Sequence, residues 1–174
     1  MRHRPILLIF CGLPGSGKTT LARVIAETIP SSFHLQTDVI RSMVARPEFT
    51  HRESRLVYSS LILAGREGLR AGYNVFLDGT FPRDEYRREA LGRLSRLARR
   101  SVVVYVACDT VEAYHRNAAR GESAVPWISF HRIESQFEPP RRALRVDTDR
   151  YSVEEATAFL LDRLKEVTLR DEVT

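Results

Sequence analysis

The stretch ILLIFCGLPGSGKTT, Ile6–Thr20, decides how the rest of the chain is read. Its first six residues are apolar without alternation, the pattern of a strand covered on both faces. The next eight, Gly12-Leu13-Pro14-Gly15-Ser16-Gly17-Lys18-Thr19, fit G-x-x-x-x-G-K-[ST] at every position. Gly12, Gly15 and Gly17 permit turns that a Cβ would obstruct, so successive N–H groups converge on phosphate oxygens at the positive end of the following helix. Lys18 is placed to reach the β- and γ-phosphates of ATP, and the Thr19 hydroxyl to ligate Mg²⁺. Ser16 and Thr20 complete the expected nucleotide-binding set.

Outward from this loop, short apolar runs alternate with segments of helical period, the signature of an α/β domain with a mostly parallel sheet. Five strands are expected: Ile6–Cys11, Phe33–Thr37, Val75–Asp78, Val102–Cys108 and Ala143–Asp147. One helix follows the loop and stops before Pro30. A second carries Val57, Leu61 and Ala64 and ends near Gly72. A third opens with Pro82, with Asp84 and Glu85 in its first turn and Ala90, Leu94 and Leu97 turned inward. Its arginines, Arg87, Arg88, Arg93, Arg96, Arg99 and Arg100, read as a solvated face. The last helix begins with the capping box Ser152 to Glu155. With 174 residues and no repeat or linker, residues 1–174 are expected to form one domain.

Composition excludes several classes. No apolar run approaches the roughly 20 residues that cross a bilayer, and the N-terminal run leads into a loop rather than a signal cleavage site, so a cytoplasmic protein is expected. The two cysteines, Cys11 and Cys108, end apolar runs and read as buried thiols, with no spacing that suggests zinc. The net charge is +5, and Lys18 and Lys165 are the only lysines among 27 basic residues, a balance that favours phosphate-bearing partners slightly.

GTPases and motor ATPases share the phosphate loop, so three further features are needed. Asp38 and Arg41, three apart at a helix start, share one face beyond the C-terminal end of a strand, where open α/β sheets bind ligands. The aspartate can accept a hydroxyl proton and the arginine can orient an anionic acceptor. A helix-start aspartate with a surface partner is the alternative. Next, Asp78-Gly79-Thr80 closes an apolar strand. There a carboxylate supports Mg²⁺ and Thr80 can bond the acceptor, while a plain strand-ending turn fits the same residues. Finally, Arg116 and Arg120, at i and i+4 ahead of Gly121, share a helix face on an arm able to close over phosphates. Surface decoration is the alternative in so arginine-rich a chain.

Together GLPGSGKTT, the D-x-x-R of Asp38–Arg41, the FLDGT of Phe76–Thr80 and the RNAARGESAVP of Arg116–Pro126 resemble the kinase domain of polynucleotide 5′-hydroxyl kinases. They also resemble the small AAA-type and zeta-toxin-like P-loop kinases around them, over about residues 5–140. The resemblance implies a three-layer, adenylate-kinase-like P-loop fold with an arginine-bearing lid at about residues 112–130. It implies Lys18 and Thr19 on ATP·Mg²⁺, Asp38 as general base, Arg41 on the acceptor, Asp78 and Thr80 lining the acceptor side, and Arg116 and Arg120 in the lid. Here Gly79 intervenes after the strand aspartate, and Phe81 stands where those kinases carry asparagine. The expected reaction is transfer of the ATP γ-phosphate to a hydroxyl, with a DNA or RNA 5′ end favoured. A kinase of a sugar, nucleoside or antibiotic is the alternative, and a slow nucleotide-dependent switch is the reading from another class.

Overall fold

The computed structural model describes residues 5–169, with side chains through Lys165. Five strands form one sheet: β1 (Ile6–Cys11), β2 (Ser32–Gln36), β3 (Asn74–Asp78), β4 (Arg100–Ala107) and β5 (Leu144–Asp147). Their order is β2-β3-β1-β4-β5 and every pairing is parallel. The sequence led us to expect a mostly parallel sheet, and among the described residues it is wholly so. Each strand matches an expected run within two residues at either end. Thr37, expected to end β2, instead opens α2 (Thr37–Ser42).

β1 lies in the middle of the sheet because both its faces are apolar, and Leu7, Leu8, Ile9, Phe10 and Cys11 are all buried. Alternate residues serve opposite layers. Leu7, Ile9 and Cys11 pack with α3 (His51–Arg70) and α4 (Asp84–Leu94). Leu8 and Phe10 pack with α1 (Lys18–Thr28) and α7 (Val153–Leu169). Burying side chains of this size stabilises by roughly 1.5–3 kcal/mol each, which makes this strand the anchor of the loop behind it.

The helices follow the caps. Ser152 and Glu155 form the reciprocal box ahead of α7, Glu155 N–H donating to Ser152 Oγ at 3.2 Å and Ser152 N–H to Glu155 Oε2 at 2.9 Å. Helix α4 starts at Asp84, two residues past Pro82, and Leu97 sits half-buried in a 3-10 turn after it.

Two expectations about arginines need correction. Arg87 is not on a solvated face: it is 2% exposed. Its guanidinium donates to the carbonyls of Phe81 at 2.7 Å, in the loop before the helix, and of Glu138 at 2.8 Å, 51 residues on, and these backbone acceptors draw it inward. Arg99 and Arg100 are half-buried. The helix bearing Arg116, α5 (Thr110–Ala118), ends before Arg120, which lies in the turn that follows, so the two arginines do not share a helix face. Cys11 is buried as expected, whereas Cys108 is only half-buried. Helix α6 (Trp127–Ser135) then leads toward β5. Among the described residues no helix is long and apolar enough to cross a membrane.

Candidate active site

The phosphate loop joins β1 to α1 and is held on two sides. Gly12 N–H donates to Thr80 O at 3.3 Å, extending the β1–β3 ladder past the last strand residue. On the other side α5 presses against the loop. A Cβ on Gly15 would overlap the Ala113 carbonyl, and the backbone there is left-handed, φ +84°, so only glycine fits without strain. Lys18 is buried, and its Nζ donates to Leu13 O at 3.3 Å, curling the side chain back over the loop. A cavity of about 370 Å³ opens above, lined by Gly15, Gly17, Lys18, Thr19, Thr20, Arg116 and Arg120. Ser16 is fully buried and its Oγ has no hydrogen-bond partner.

Asp78 ends β3 in register with Phe10, which faces α1, so its carboxylate lies on the layer that carries Lys18 and Thr19. It is 2% exposed. His34 Nε2 lies 3.2 Å from Oδ2, while Oδ1 is buried without a partner. The next residue, Gly79, lets α2 approach: a Cβ there would lie 2.6 Å from Thr37 Cγ2. The glycine that departs from the kinase pattern therefore has a local reason. Phe81 also has one. It is fully buried against the ring of Tyr58, and the Tyr58 hydroxyl accepts its N–H at 2.9 Å, which over-determines a left-handed φ of 44°. Burial pushes the Tyr58 hydroxyl pKa up.

Asp38, 56% exposed, and Arg41 stand on α2 beside a second cavity of about 200 Å³ that Thr80 and Arg132 also line. The two do not have the same freedom. Asp38 Oδ2 is 3.5 Å from Arg120. The Arg41 guanidinium is bonded to Glu53 and stacks 4.6 Å over the Phe49 ring. Glu53 in turn accepts the N–H groups of Glu48 and Phe49. Arg41 is thus braced from behind by a carboxylate already satisfied by backbone.

Arg116 is braced too. It donates to Glu112 at 2.7 Å and to Thr148 Oγ1 at 3.1 Å, and Thr148 donates to Ser16 O at 3.0 Å. This links α5, the β5–α7 loop and the phosphate loop. Beside it, the Asp109 amide, together with the Cys108 thiol and the Arg116 charge, holds the Asp149 carboxyl below its ordinary range. Burial and the bond to Asp149 push the Cys108 thiol up to about 11.

The structure thus gathers the loop residues with Arg116 and Arg120 around one cavity, and Asp38, Arg41 and Thr80 around a neighbouring one. Arg120 lines the first and also borders Asp38 and Arg41 in a further opening of about 510 Å³. Asp78 sits beneath the loop rather than on the wall of either cavity. Sequence reasoning missed His34, Glu53 and Arg132. Of these only Glu53 left a signal: with Thr50 it forms a T-x-x-E helix start, and its N–H donates to Thr50 Oγ1 at 3.2 Å.

A group holding Mg²⁺ in such a site needs one or two protein oxygens, since phosphates and water supply the rest. The orphaned Oδ1 of Asp78 and the Thr19 hydroxyl fit that need. Among the described residues no three His, Cys, Asp or Glu side chains converge as a metal cage.

The family described as AAA domain matches residues 7–140. A UPF0200 protein of Aeropyrum pernix is 27% identical, over 68% of this chain and 79% of its own. The Mycobacterium tuberculosis APS kinase CysC, solved with AMPPNP and APS, superposes with a TM-score of 0.76 at 20% identity, covering 94% of this chain and 99% of that one. A chain of the Pnkp1/Rnl/Hen1 RNA repair complex gives 0.65 at 22% identity, covering 87% of this chain and 53% of that one. At these identities the two structural likenesses are ones of fold, and the fold is that of the P-loop kinases.

Proposed function

Since the chain belongs to the AAA-domain family, we propose that it is an ATP-dependent kinase that transfers the γ-phosphate to an acceptor hydroxyl, with a polynucleotide 5′ end as favoured acceptor. The observation that carries this reading is the position of Arg120. It lines the phosphate-loop cavity and at the same time reaches Asp38 at the mouth of the acceptor side. A cation between nucleotide and base is where charge develops as a phosphoryl group passes between them.

In this reading the loop N–H groups and Lys18 hold the β- and γ-phosphates. Arg116, fixed by Glu112 and Thr148, and Arg120 neutralise the transferred group as the lid closes. Asp38 takes the acceptor proton as the acceptor oxygen bonds to the γ-phosphorus and the bond to the β–γ bridging oxygen breaks, releasing ADP. Arg41 and Thr80 orient the acceptor. Mg²⁺, held by Thr19 and supported by Asp78, would supply charge neutralisation at the β- and γ-oxygens.

A polynucleotide end is favoured by the basic charge and by Arg41 and Arg132 beside the acceptor cavity, where they can meet the acceptor's own phosphates. A small-molecule acceptor is the second reading, favoured by the size of that cavity, about 200 Å³, enough for a single sugar-sized group. The test is transfer of labelled γ-phosphate from ATP·Mg²⁺ to a 5′-hydroxyl oligonucleotide, with Lys18→Ala as control. Label that disappears in the variant is expected. No label on the oligonucleotide but label on a sugar or nucleoside would move the acceptor to the second reading. ATP turnover that no acceptor stimulates would overturn the kinase reading altogether.

A further inference from the structure

We infer that His34 is a positioning residue for Asp78, holding one carboxylate oxygen so that the other is presented toward the metal and phosphate side of the site. This rests on the proposed role of Asp78 in supporting Mg²⁺. The strand register places the pair. Gln36 is opposite Asp78 and His34 is opposite Phe76, so His34 lies one pleat back on the same face. That face also carries Phe10 and α1, whose first turn bears Lys18 and Thr19.

The two oxygens of Asp78 are not equivalent. Oδ2 meets His34 Nε2 at 3.2 Å, and with the proton on Nε2 the ring donates to it. Oδ1 is buried with no partner among the described residues. A buried carboxylate oxygen left unbonded costs stability unless a ligand or water completes it. A carboxylate free to rotate would exchange its oxygens. One fixed hydrogen bond removes that freedom and directs the bare oxygen at a single point. A merely structural pair would serve equally well with both oxygens satisfied inside the protein, which is not what is found. Groups that orient metal-supporting side chains in this way typically matter by roughly 10–100-fold in metal affinity.

The test reads metal binding directly. Mn²⁺ is titrated into the protein with ADP present and followed by electron paramagnetic resonance, while ADP affinity in EDTA and thermal stability are measured alongside. We expect Asp78→Asn to weaken Mn²⁺ binding, His34→Ala to weaken it about 10–100-fold, and His34→Gln, whose amide can donate from similar reach, to recover most of the loss. ADP affinity without metal should stay at the parent value in all three. If His34→Ala does not fold, His34→Asn, whose amide stops short of Asp78, takes its place against His34→Gln. Parent-like Mn²⁺ affinity in His34→Ala, or no recovery in His34→Gln, overturns the inference while leaving the role of Asp78 standing. Parent-like Mn²⁺ affinity in Asp78→Asn overturns both.

Discussion

Asp38 and Cys108 are the two side chains whose chemistry can be probed most directly. Asp38 is exposed and, among the described residues, its side chain is paired with Arg120 alone, at 3.5 Å, so its removal should disturb chemistry and not folding. Asp38→Asn is expected to lower kcat for phosphoryl transfer by about 10²–10⁴-fold, the usual contribution of a general base, with ATP affinity unchanged. Single-turnover kinetics and ATP titration check the two halves separately. The Cys108 thiol, raised to about 11 by burial and by its bond to Asp149, keeps its proton through neutral pH. The raised value favours the protonated form in the folded protein, so alkylation should lag a free thiol by on the order of 100-fold at pH 8 and catch up only as pH approaches 11. Mass spectrometry of iodoacetamide-treated protein reads the rate. Much at this scale was legible in the sequence: the loop, Asp38–Arg41 and Asp78–Thr80 stand as contiguous motifs. His34 and the tie from Glu53 to Arg41 were not, because the partners are 44 and 12 residues distant and only the packed sheet and the α2–α3 contact bring them together. Arg87 was misread for a related reason. A charged residue on a polar-looking helix was taken as solvated, and the carbonyls that bury it lie off the helix, one in the loop before it and one 51 residues on.

Among the elements, the arm formed by α5 and α6 shows how one buried polar side chain can set the shape of a segment. Asn117, 1% exposed, donates to Val125 O at 2.9 Å and accepts Val125 N–H at 3.0 Å, a paired bond that folds the chain back after Gly121. Its neighbourhood includes Gly15, so the arm and the phosphate loop share this anchor. Asn117→Ala leaves the two half-buried backbone groups of Val125 unpaired and should cost about 1–2 kcal/mol of stability. It should also raise KM for ATP more than KM for the acceptor, since the loop rests on α5. Urea unfolding and steady-state kinetics test these expectations. β1, β3 and β4 were readable because buried parallel strands are unbroken apolar runs, whereas β2 and β5, mostly half-buried and with polar residues, gave a weaker signal. The capping box marked α7 for a similarly local reason. Helix α6 had no such marker. It is short, its exposed Trp127 and Ile128 interrupt an apolar face, and its position is fixed by Phe130 packing with Leu13 and Ala113.

Charge and strand order act on the molecule as a whole. The net charge of +5 cannot identify an acceptor, but it makes the two acceptor classes behave differently in salt. If a single-stranded 5′ end is held through two or three phosphates, KM for an oligonucleotide should rise about ten-fold between 50 and 200 mM salt, on a slope near −0.7 per phosphate. A neutral sugar acceptor should show almost no dependence, and initial rates at fixed ATP decide between them. Strand order has a consequence of a different kind, felt during synthesis. The central strand β1 is translated ahead of both its neighbours, and β4 begins only at Arg100. At roughly 5–20 residues per second the ribosome leaves ILLIFC without any strand partner for about 3–13 seconds, until β3 is made, and without its second for about 5–20 seconds. An uncharged, β-prone run of that length is a target for other nascent chains and for chaperones. The yield of folded protein in the cell should therefore depend on elongation rate and chaperone supply more than the stability of the finished sheet would suggest.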